Sequence, residues 1–267
     1  MIPKIRLRNV SKHFSAGAGE ISALENVNLT VNSGDFVTLV GPSGCGKSTL
    51  FNILVGLSPP DPGSELYIDG KPQPPDHLLG RVAFMPQRDM LMPWRTTLDN
   101  AILAAEIDGM PRKEARKRAL ASIDRFGLRG FEQHYPGESS GGMRQRVALM
   151  RTFMFERDIM LLDEPFGALD ALTRAMMQRW LLQVWEGANR TVLFITHDID
   201  EAIFLGDRAL VMSARPGHIK TEVPVPLRRP RTPDVVTSHE FVELKRALLA
   251  AVEDESRKAF DAMAAIT

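Results

Sequence analysis

The sequence predicts an α/β fold: a largely parallel sheet layered with helices, an antiparallel β side sheet, a helical insertion and a short C-terminal helical extension. Three observations predict it. Short apolar runs rich in Val, Ile and Phe alternate with longer helical patterns along the 267 residues, the order of strands joined through helices. These runs fall at 5–10, 27–31, 36–40, 66–68, 82–85, 159–162, 192–196 and 209–212. The first of them sit in charged, turn-rich sequence, as side-sheet strands do, whereas the later ones are apolar at nearly every position, as strands buried on both faces are. A chain of this length holds one large α/β domain, or a domain with an insertion and a tail.

The elements follow in order. After the strand at 36–40, a glycine-rich loop opens a helical run at 48–55 that ends at Gly56. Between 87 and 155 the texture becomes almost purely helical. One helix is expected over 97–108, stopping at Gly109; another opens with Pro111 at its first position and closes before Gly127. Residues 224–233 carry prolines with Arg228, Arg229 and Arg231 and predict an extended linker. Beyond it Phe241, Leu244, Leu248, Val252, Ala259 and Met263 recur at roughly helical spacing, with Ser238 placed to cap a C-terminal helix.

Composition excludes several classes. The 33 basic and 33 acidic residues balance, so no nucleic-acid partner is expected. A single cysteine rules out an intramolecular disulfide framework and suits a reducing compartment. The first 14 residues lack the continuous apolar core of a signal peptide, and nowhere do about 18 uncharged apolar residues run together. The expectation is a soluble, cytoplasmic protein. The histidines show no metal-ligand spacing, and Cys45 has no partner cysteine for a zinc site. The basic run Arg112, Lys113, Arg116, Lys117 and Arg118 reads as a solvated helix face.

Two motifs carry chemistry directly. Gly41-Pro42-Ser43-Gly44-Cys45-Gly46-Lys47-Ser48 matches G-x-x-x-x-G-K-[ST] and lies between a strand and a helix, the context that the motif requires. Its glycines let successive N–H groups face inward as an anion cradle, reinforced by the helix N-terminus that Ser48 and Thr49 begin. Lys47 is expected on the β- and γ-phosphates and Ser48 on Mg²⁺. Cys45, beside Lys47 and a helix N-terminus, sits where a thiol becomes reactive. The second motif is the apolar strand at 159–162 followed by Asp163 and Glu164. Such a strand delivers its last residues to the sheet edge where ligands bind, placing Asp163 on Mg²⁺ and Glu164 as the general base for water.

The run Ser139-Ser140-Gly141-Gly142-Met143-Arg144-Gln145-Arg146 decides between families. Here the sequence resembles the ATP-binding cassette (ABC) proteins, whose motif reads L-S-G-G-Q; Ser139 and Met143 stand in place of its Leu and Gln. The resemblance implies a P-loop NTPase (RecA-like) core and a cassette over 1–225, with the helical insertion at about 88–155 and residues 226–267 as linker and helix. It implies that Ser140, Gly141 and Gly142 face a phosphate of ATP held by a second copy. It also implies that Phe14 stacks on adenine, that Gln87 senses Mg²⁺ and water, that Asp170 of the run Ala168-Leu169-Asp170 crosses the dimer, and that His197 contacts the γ-phosphate. ATP and Mg²⁺ are the implied cofactors, with Glu164, His197 and Gln87 catalytic and Ser48, Gln87 and Asp163 on the metal.

Two further runs, Met90-Leu91-Met92-Pro93-Trp94-Arg95 and Ser213-Ala214-Arg215-Pro216-Gly217, are similar to those of nitrate, sulfonate, taurine and related importer ATPases. The first either packs under the helical insertion or offers Leu91, Pro93 and Trp94 as a docking surface for a membrane permease. The resemblance thus implies a homodimeric transport ATPase, a translocase subunit peripheral to the cytoplasmic face of the cell membrane. It would act with permease subunits and, indirectly, a periplasmic or extracellular solute-binding protein. A ribosomal or chromosomal cassette protein would carry two cassettes or a long coiled coil, and a small-molecule kinase would not need Ser140, Gly141 and Gly142.

Overall fold

A computed structural model describes residues 2–16, 19–74, 77–188 and 190–264. The chain runs through β1 (Ile5–Ala16), β2 (Gly19–Val31), β3 (Phe36–Val40), α1 (Lys47–Val55), β4 (Glu65–Ile68), β5 (Lys71–Pro72) and β6 (Ala83–Met85). Helices α2 (Thr97–Ala101), α3 (Leu103–Ile107), α4 (Arg112–Ser122) and α5 (Gly141–Met154) follow, then β7 (Ile159–Asp163) and α6 (Ala171–Ala188). The last elements are β8 (Thr191–Ile195), α7 (Ile199–Leu205), β9 (Arg208–Met212), β10 (Ile219–Pro224) and α8 (His239–Ala264). They form two compact units: Met1–Val82 with Asn189–Thr267, and Ala83–Ala188.

In the first unit, β3 lies between β8 and β9, parallel to both, and β10 closes the far side of β9 antiparallel. Every residue of β3 and β8 is buried, which explains why each is apolar at all but one position. The one polar exception inside β3, Thr38, donates its hydroxyl to the Ala202 carbonyl at 3.1 Å. Helix α1 buries Leu50, Phe51, Ile53 and Leu54 and ends at Gly56 in the left-handed conformation, as expected.

The side sheet, in the order β2-β1-β4-β5, is antiparallel throughout. Its two long strands extend well past the runs at 5–10 and 27–31, to 12 and 13 residues. The physical reason is a series of three register shifts. Asn9 and Asn26 take left-handed backbone angles (φ 50° and 49°), and the β1–β2 register shifts beside Asn9 and again before Lys12 and His13. Each bulge resets the two-residue alternation, so the buried positions read Ile5, Leu7, Val10 on β1 and Ala23, Leu24, Val27, Leu29, Val31 on β2. A strict alternation search stops at such a reset.

The C-terminal residues behave partly as expected. Ser238 accepts the Phe241 N–H at 3.2 Å and caps α8, which buries Phe241 and Leu248. The side chain of Met263 lies outside the described residues. Residues 225–232 have no regular structure and lead into a 3-10 helix over Pro233–Thr237 just before α8, and Arg231 is not a solvated linker residue. It is buried and donates to the carbonyls of Ile203, Phe204 and Gly206 at 2.7–2.9 Å, closing the C-terminal end of α7.

In the second unit, β6 and β7 pair in parallel, with Met85 opposite Leu162. The helix expected over 97–108 is divided at Ile102 (ψ −7°) into α2 and α3, and Pro111 caps α4 instead of starting it. The basic run on α4 is ion-paired, not merely solvated. Arg112 and Arg116 both hold Asp99 of α2 (2.8 and 2.6 Å), Arg112 also reaches Glu106 of α3 at 2.7 Å, and Arg118 pairs with Glu114 and Glu156.

Fully buried Asn100 pins the segment before α2. Its Nδ2 donates to the carbonyls of Met92, Arg95 and Thr96 (3.1, 2.9 and 3.1 Å), and its Oδ1 accepts the Met92 N–H at 2.7 Å. Removing the amide strands several polar groups at once, each costing about 1–3 kcal/mol where water does not reach. Asn100→Ala is therefore expected to lower the free energy of chemical unfolding by about 2–4 kcal/mol. A loss below about 0.5 kcal/mol would show that water takes over these bonds.

Candidate functional site

The candidate residues divide between the two units. In the first, the loop from Gly41 to Gly46 links the buried strand β3 to α1. Gly46 stands at φ +105°, and a Cβ there would lie 2.7 Å from Leu24 Cδ2 and 2.8 Å from the Ala23 carbonyl oxygen, so only glycine fits. Lys47 is 9% exposed, and its ammonium donates to the carbonyls of Gly41 and Pro42, both at 2.9 Å. A buried ammonium needs such partners. Ser43, Gly44 and Ser48 are exposed and Thr49 half-buried at the start of α1.

Phe14 lies near the end of β1 opposite Ile21, 43% exposed, with the Lys12 ammonium 5.2 Å from its ring centroid. His197 is exposed directly after β8. The turn that presents it is anchored by buried Thr196, whose hydroxyl donates to Glu201 at 2.6 Å and accepts the Asp198 N–H at 3.0 Å.

In the second unit, β7 ends on buried Asp163, and Glu164 follows at φ +48°. A left-handed glutamate is strained backbone of the kind concentrated at functional sites. Three contacts hold it there: Gln87 Nε2 donates to Glu164 Oε2 (3.1 Å), Gln145 Nε2 to the Glu164 carbonyl (3.4 Å), and the Gly167 N–H to the same carbonyl (3.2 Å). Gln87 and Glu164, 77 residues apart, thus meet as a pair.

Ser140 caps α5, accepting the Met143 N–H at 3.2 Å, so Ser140, Gly141 and Gly142 form a helix N-terminus. Ser139 is buried and donates to the Tyr135 carbonyl at 3.3 Å, a packing role. Gly142 abuts the run at 168–170: an added Cβ would stand 3.3 Å from Leu169 Cδ2. Asp170 precedes α6 and accepts the Thr173 N–H at 3.0 Å; hydrogen bonds from the Thr173 hydroxyl, first, and from this N–H hold its carboxyl below the usual range.

Sequence reasoning missed two residues of this unit. Arg144 of α5 binds Asp89 at 2.9 Å, and Arg151 donates to the carbonyls of Asp89 and Met90, both at 2.7 Å. Burial pulls the Arg151 guanidinium down, opposed by Asp89. Seven residues apart, the two arginines share one helix face and clamp the segment between Gln87 and α2. Their spacing was the available signal. That segment does not pack as core: Trp94 is 72% exposed, Met90 and Pro93 are exposed, and Leu91 is half-buried.

Comparison with known proteins places these residues in context. Residues 24–167 match the family model described as ABC transporter. The chain is 44% identical over 255 residues to an uncharacterized ABC transporter ATP-binding protein of Methanocaldococcus jannaschii, spanning 96% of this chain and 93% of that protein. It is 42% identical over 253 residues to the aliphatic sulfonates import ATP-binding protein SsuB of Bacillus cereus, covering 93% and 96%. Among solved structures, the dimeric structure of MJ0796, a bacterial ABC transporter cassette, aligns with a TM-score of 0.76 at 35% identity over 84% of this chain and all of that one. A dimeric post-hydrolysis state of the same cassette bound to ADP and Pi aligns with the same score at 34% identity.

One expectation is corrected by the geometry. Cys45 is 1% exposed, its sulfur 3.6 Å from the Lys47 ammonium on the covered side of the loop, so its setting does not make it an accessible thiol. Cys45 is expected to react with a maleimide at least about tenfold more slowly in the native protein than in urea, because reaction must await local opening. Equal rates, read by mass spectrometry, would place the sulfur at the surface.

Proposed function

We infer the function from one premise: this chain belongs to the ABC transporter family and is an ATP-binding subunit that hydrolyses ATP. Its fold is the α/β P-loop NTPase fold with an antiparallel side sheet. From that premise we propose a homodimeric import ATPase that closes around two ATP molecules and drives an integral membrane permease. Residues 1–225 are the cassette, with the helical insertion at about 88–155, and 226–267 are its linker and C-terminal helix.

The residues have these proposed parts. Inward N–H groups of the loop at 41–46, with Lys47, Ser48 and Thr49, hold the phosphates, and Phe14 stacks on adenine. Ser140, Gly141 and Gly142 of one copy bind the γ-phosphate held by the other, while Asp170 lines the dimer contact. Glu164 takes the proton of the attacking water, with Gln87 and His197 positioning water and γ-phosphate. The Ser48 hydroxyl, the Gln87 amide oxygen and the Asp163 carboxylate are all hard oxygen donors, a set that suits Mg²⁺ shared with phosphates and water. Gln87 donates to Glu164 through its nitrogen, which leaves its oxygen as the acceptor for the ion. Bound there, Mg²⁺ neutralises charge on the phosphates.

The observation that carries the coupling is the continuity of one segment. Gln87 bonds to Glu164, the next residues are clamped to α5 by Arg144 and Arg151, and the segment continues to exposed Pro93 and Trp94. A change at the γ-phosphate that moves Gln87 therefore moves an exposed aromatic, the composition of an interface anchor. This supports docking of a permease at Leu91, Pro93 and Trp94. The protein would sit at the cytoplasmic face of the cell membrane; among the described residues no helix is long and apolar enough to cross a bilayer. The relatives named for aliphatic sulfonate import support a cargo of the nitrate, sulfonate or taurine class. An external solute-binding protein would select it.

Two measurements test this reading. Glu164→Gln is expected to bind ATP yet hydrolyse it at least about 10²-fold more slowly, and to run as an ATP-dependent dimer on gel filtration. Wild-type turnover in that variant removes Glu164 from the role of base. Leu91→Asp combined with Trp94→Ala should leave ATP binding and basal hydrolysis of the isolated subunit within a few-fold of wild type, while association with the permease weakens by at least about 2 kcal/mol. A large fall in melting temperature with loss of nucleotide binding would instead show that the segment holds the fold together.

A further inference from the structure

The loop at 213–218, between β9 and β10, has no part in the chemistry described above, yet it is built against the outside of the phosphate loop. Arg215 donates through Nη2 and Nε to the Gly44 carbonyl, at 3.0 and 3.3 Å. Two residues on, Gly217 lies so close to the Cys45 carbonyl that an ideal Cβ would stand 1.9 Å from that oxygen. The Gly217 N–H donates to the Ala23 carbonyl and its own carbonyl accepts the Glu25 N–H, both at 3.0 Å, which fixes it to β2.

These contacts fall on two consecutive carbonyls, those of Gly44 and Cys45. A trans peptide carries its N–H opposite its C=O. With the Gly44 carbonyl bonded to Arg215 and the Cys45 carbonyl packed against Gly217, the N–H groups of Cys45 and Gly46 point away from that loop. The Cys45 N–H accordingly points across the loop to the Pro42 carbonyl (3.4 Å), the same carbonyl that receives the Lys47 ammonium. The orientation of the Gly44–Cys45 peptide therefore fixes the turn that brings the Pro42 carbonyl to Lys47.

The clamp is in turn held from the C-terminal helix. Glu255 of α8, 3% exposed, accepts the Ala214 N–H at 2.8 Å, one residue before Arg215. Lys258 holds the same carboxylate at 2.8 Å, and Lys220 of β10 bonds to both Asp254 and Glu255. Burial pushes the Glu255 carboxyl up, but these partners outweigh it and bring it down to about 2. A buried carboxylate so completely bonded is a fixed point.

We propose that the loop at 213–218 is an outer clamp on the phosphate loop, set by α8, and that Arg215 and Glu255 are positioning residues for nucleotide binding. Neither touches nucleotide in this scheme. Arg215 orients the Gly44–Cys45 peptide, Glu255 orients Ala214 and so Arg215, and the C-terminal helix thereby tunes ATP affinity.

The inference rests on the chain's ATPase activity, and the test separates the two. ATPase kinetics and MgATP titration are run on the full-length chain, with thermal melting of each variant. Arg215→Ala is expected to raise the KM and Kd for MgATP about tenfold, the scale of one hydrogen bond from a charged group. Its kcat should stay within about twofold and its nucleotide-free melting temperature within a few degrees, a split that general loss of structure does not produce. Arg215→Lys, which can still donate to the Gly44 carbonyl, recovers most of the affinity. Glu255→Ala repeats the rise in KM with Arg215 intact, and the double variant is no worse than Arg215→Ala alone. Lys245→Ala, which removes the α8 contact to Asp200, leaves KM unchanged. Wild-type KM in Arg215→Ala, effects that multiply in the double variant, or loss of kcat and melting temperature at constant KM each overturn the proposal. A wild-type chain that binds no MgATP would instead overturn the ATPase assignment itself.

Discussion

A buried ammonium at the head of α1 sets the terms for the nucleotide-binding unit. Lys47 has little water, so its charge depends on the carbonyls of Gly41 and Pro42 turned toward it. The carbonyls of Gly44 and Cys45, further along the loop, face Arg215 and Gly217 instead. A loop that reverses its peptide planes within four residues needs positions free of side-chain clash, and Gly46 supplies one against Leu24 and Ala23. The result is a fixed loop shape, made positive by Lys47 and the N-terminus of α1. Holding that shape in advance spares the protein the ordering cost at the moment of binding.

The helical unit is arranged around a second point of tension, the left-handed Glu164. Its carboxylate is held by Gln87 and its carbonyl by Gln145 and Gly167. Because Gln145 belongs to the helix that Ser140 caps, the position of the proposed base and that of the Ser-Gly-Gly helix end are set by one rigid element. Arg144 and Arg151 extend from the same helix to the segment that carries Trp94. The proposed base, the helix end proposed to face a second copy's phosphate, and the segment that carries the exposed aromatic are thus all tied to α5.

The residues after β10 look, by composition, like an appendage, yet two charged side chains bind them into the nucleotide-binding unit. Arg231 closes the end of α7 with three carbonyl bonds, and Glu255 reaches the loop that backs the phosphate site. Both groups are buried, where an unbonded charge costs several kcal/mol and a fully bonded one specifies a single arrangement. The C-terminal helix is therefore part of the machinery that shapes the site.

What the sequence by itself determined was local. The glycine loop, the apolar strand that ends in carboxylates, the serine caps of α5 and α8 and the left-handed stop at Gly56 all follow from residue type and short spacing, because a backbone conformation depends on its own residue and near neighbours. Even the order of the motifs was legible. Three things were decided only by tertiary structure. Bulges at Asn9 and Asn26 carried the side-sheet strands past where alternation ended. The arginines at 112, 116 and 231 found carboxylates and carbonyls instead of water, and Cys45 was turned beneath its own loop. The pairing of Arg215 with Gly44 spans 171 residues, and that of Glu255 with Ala214 spans 41. No window of sequence holds both partners of such a bond; packing of the layers brings them within reach, and desolvation then makes the bond obligatory.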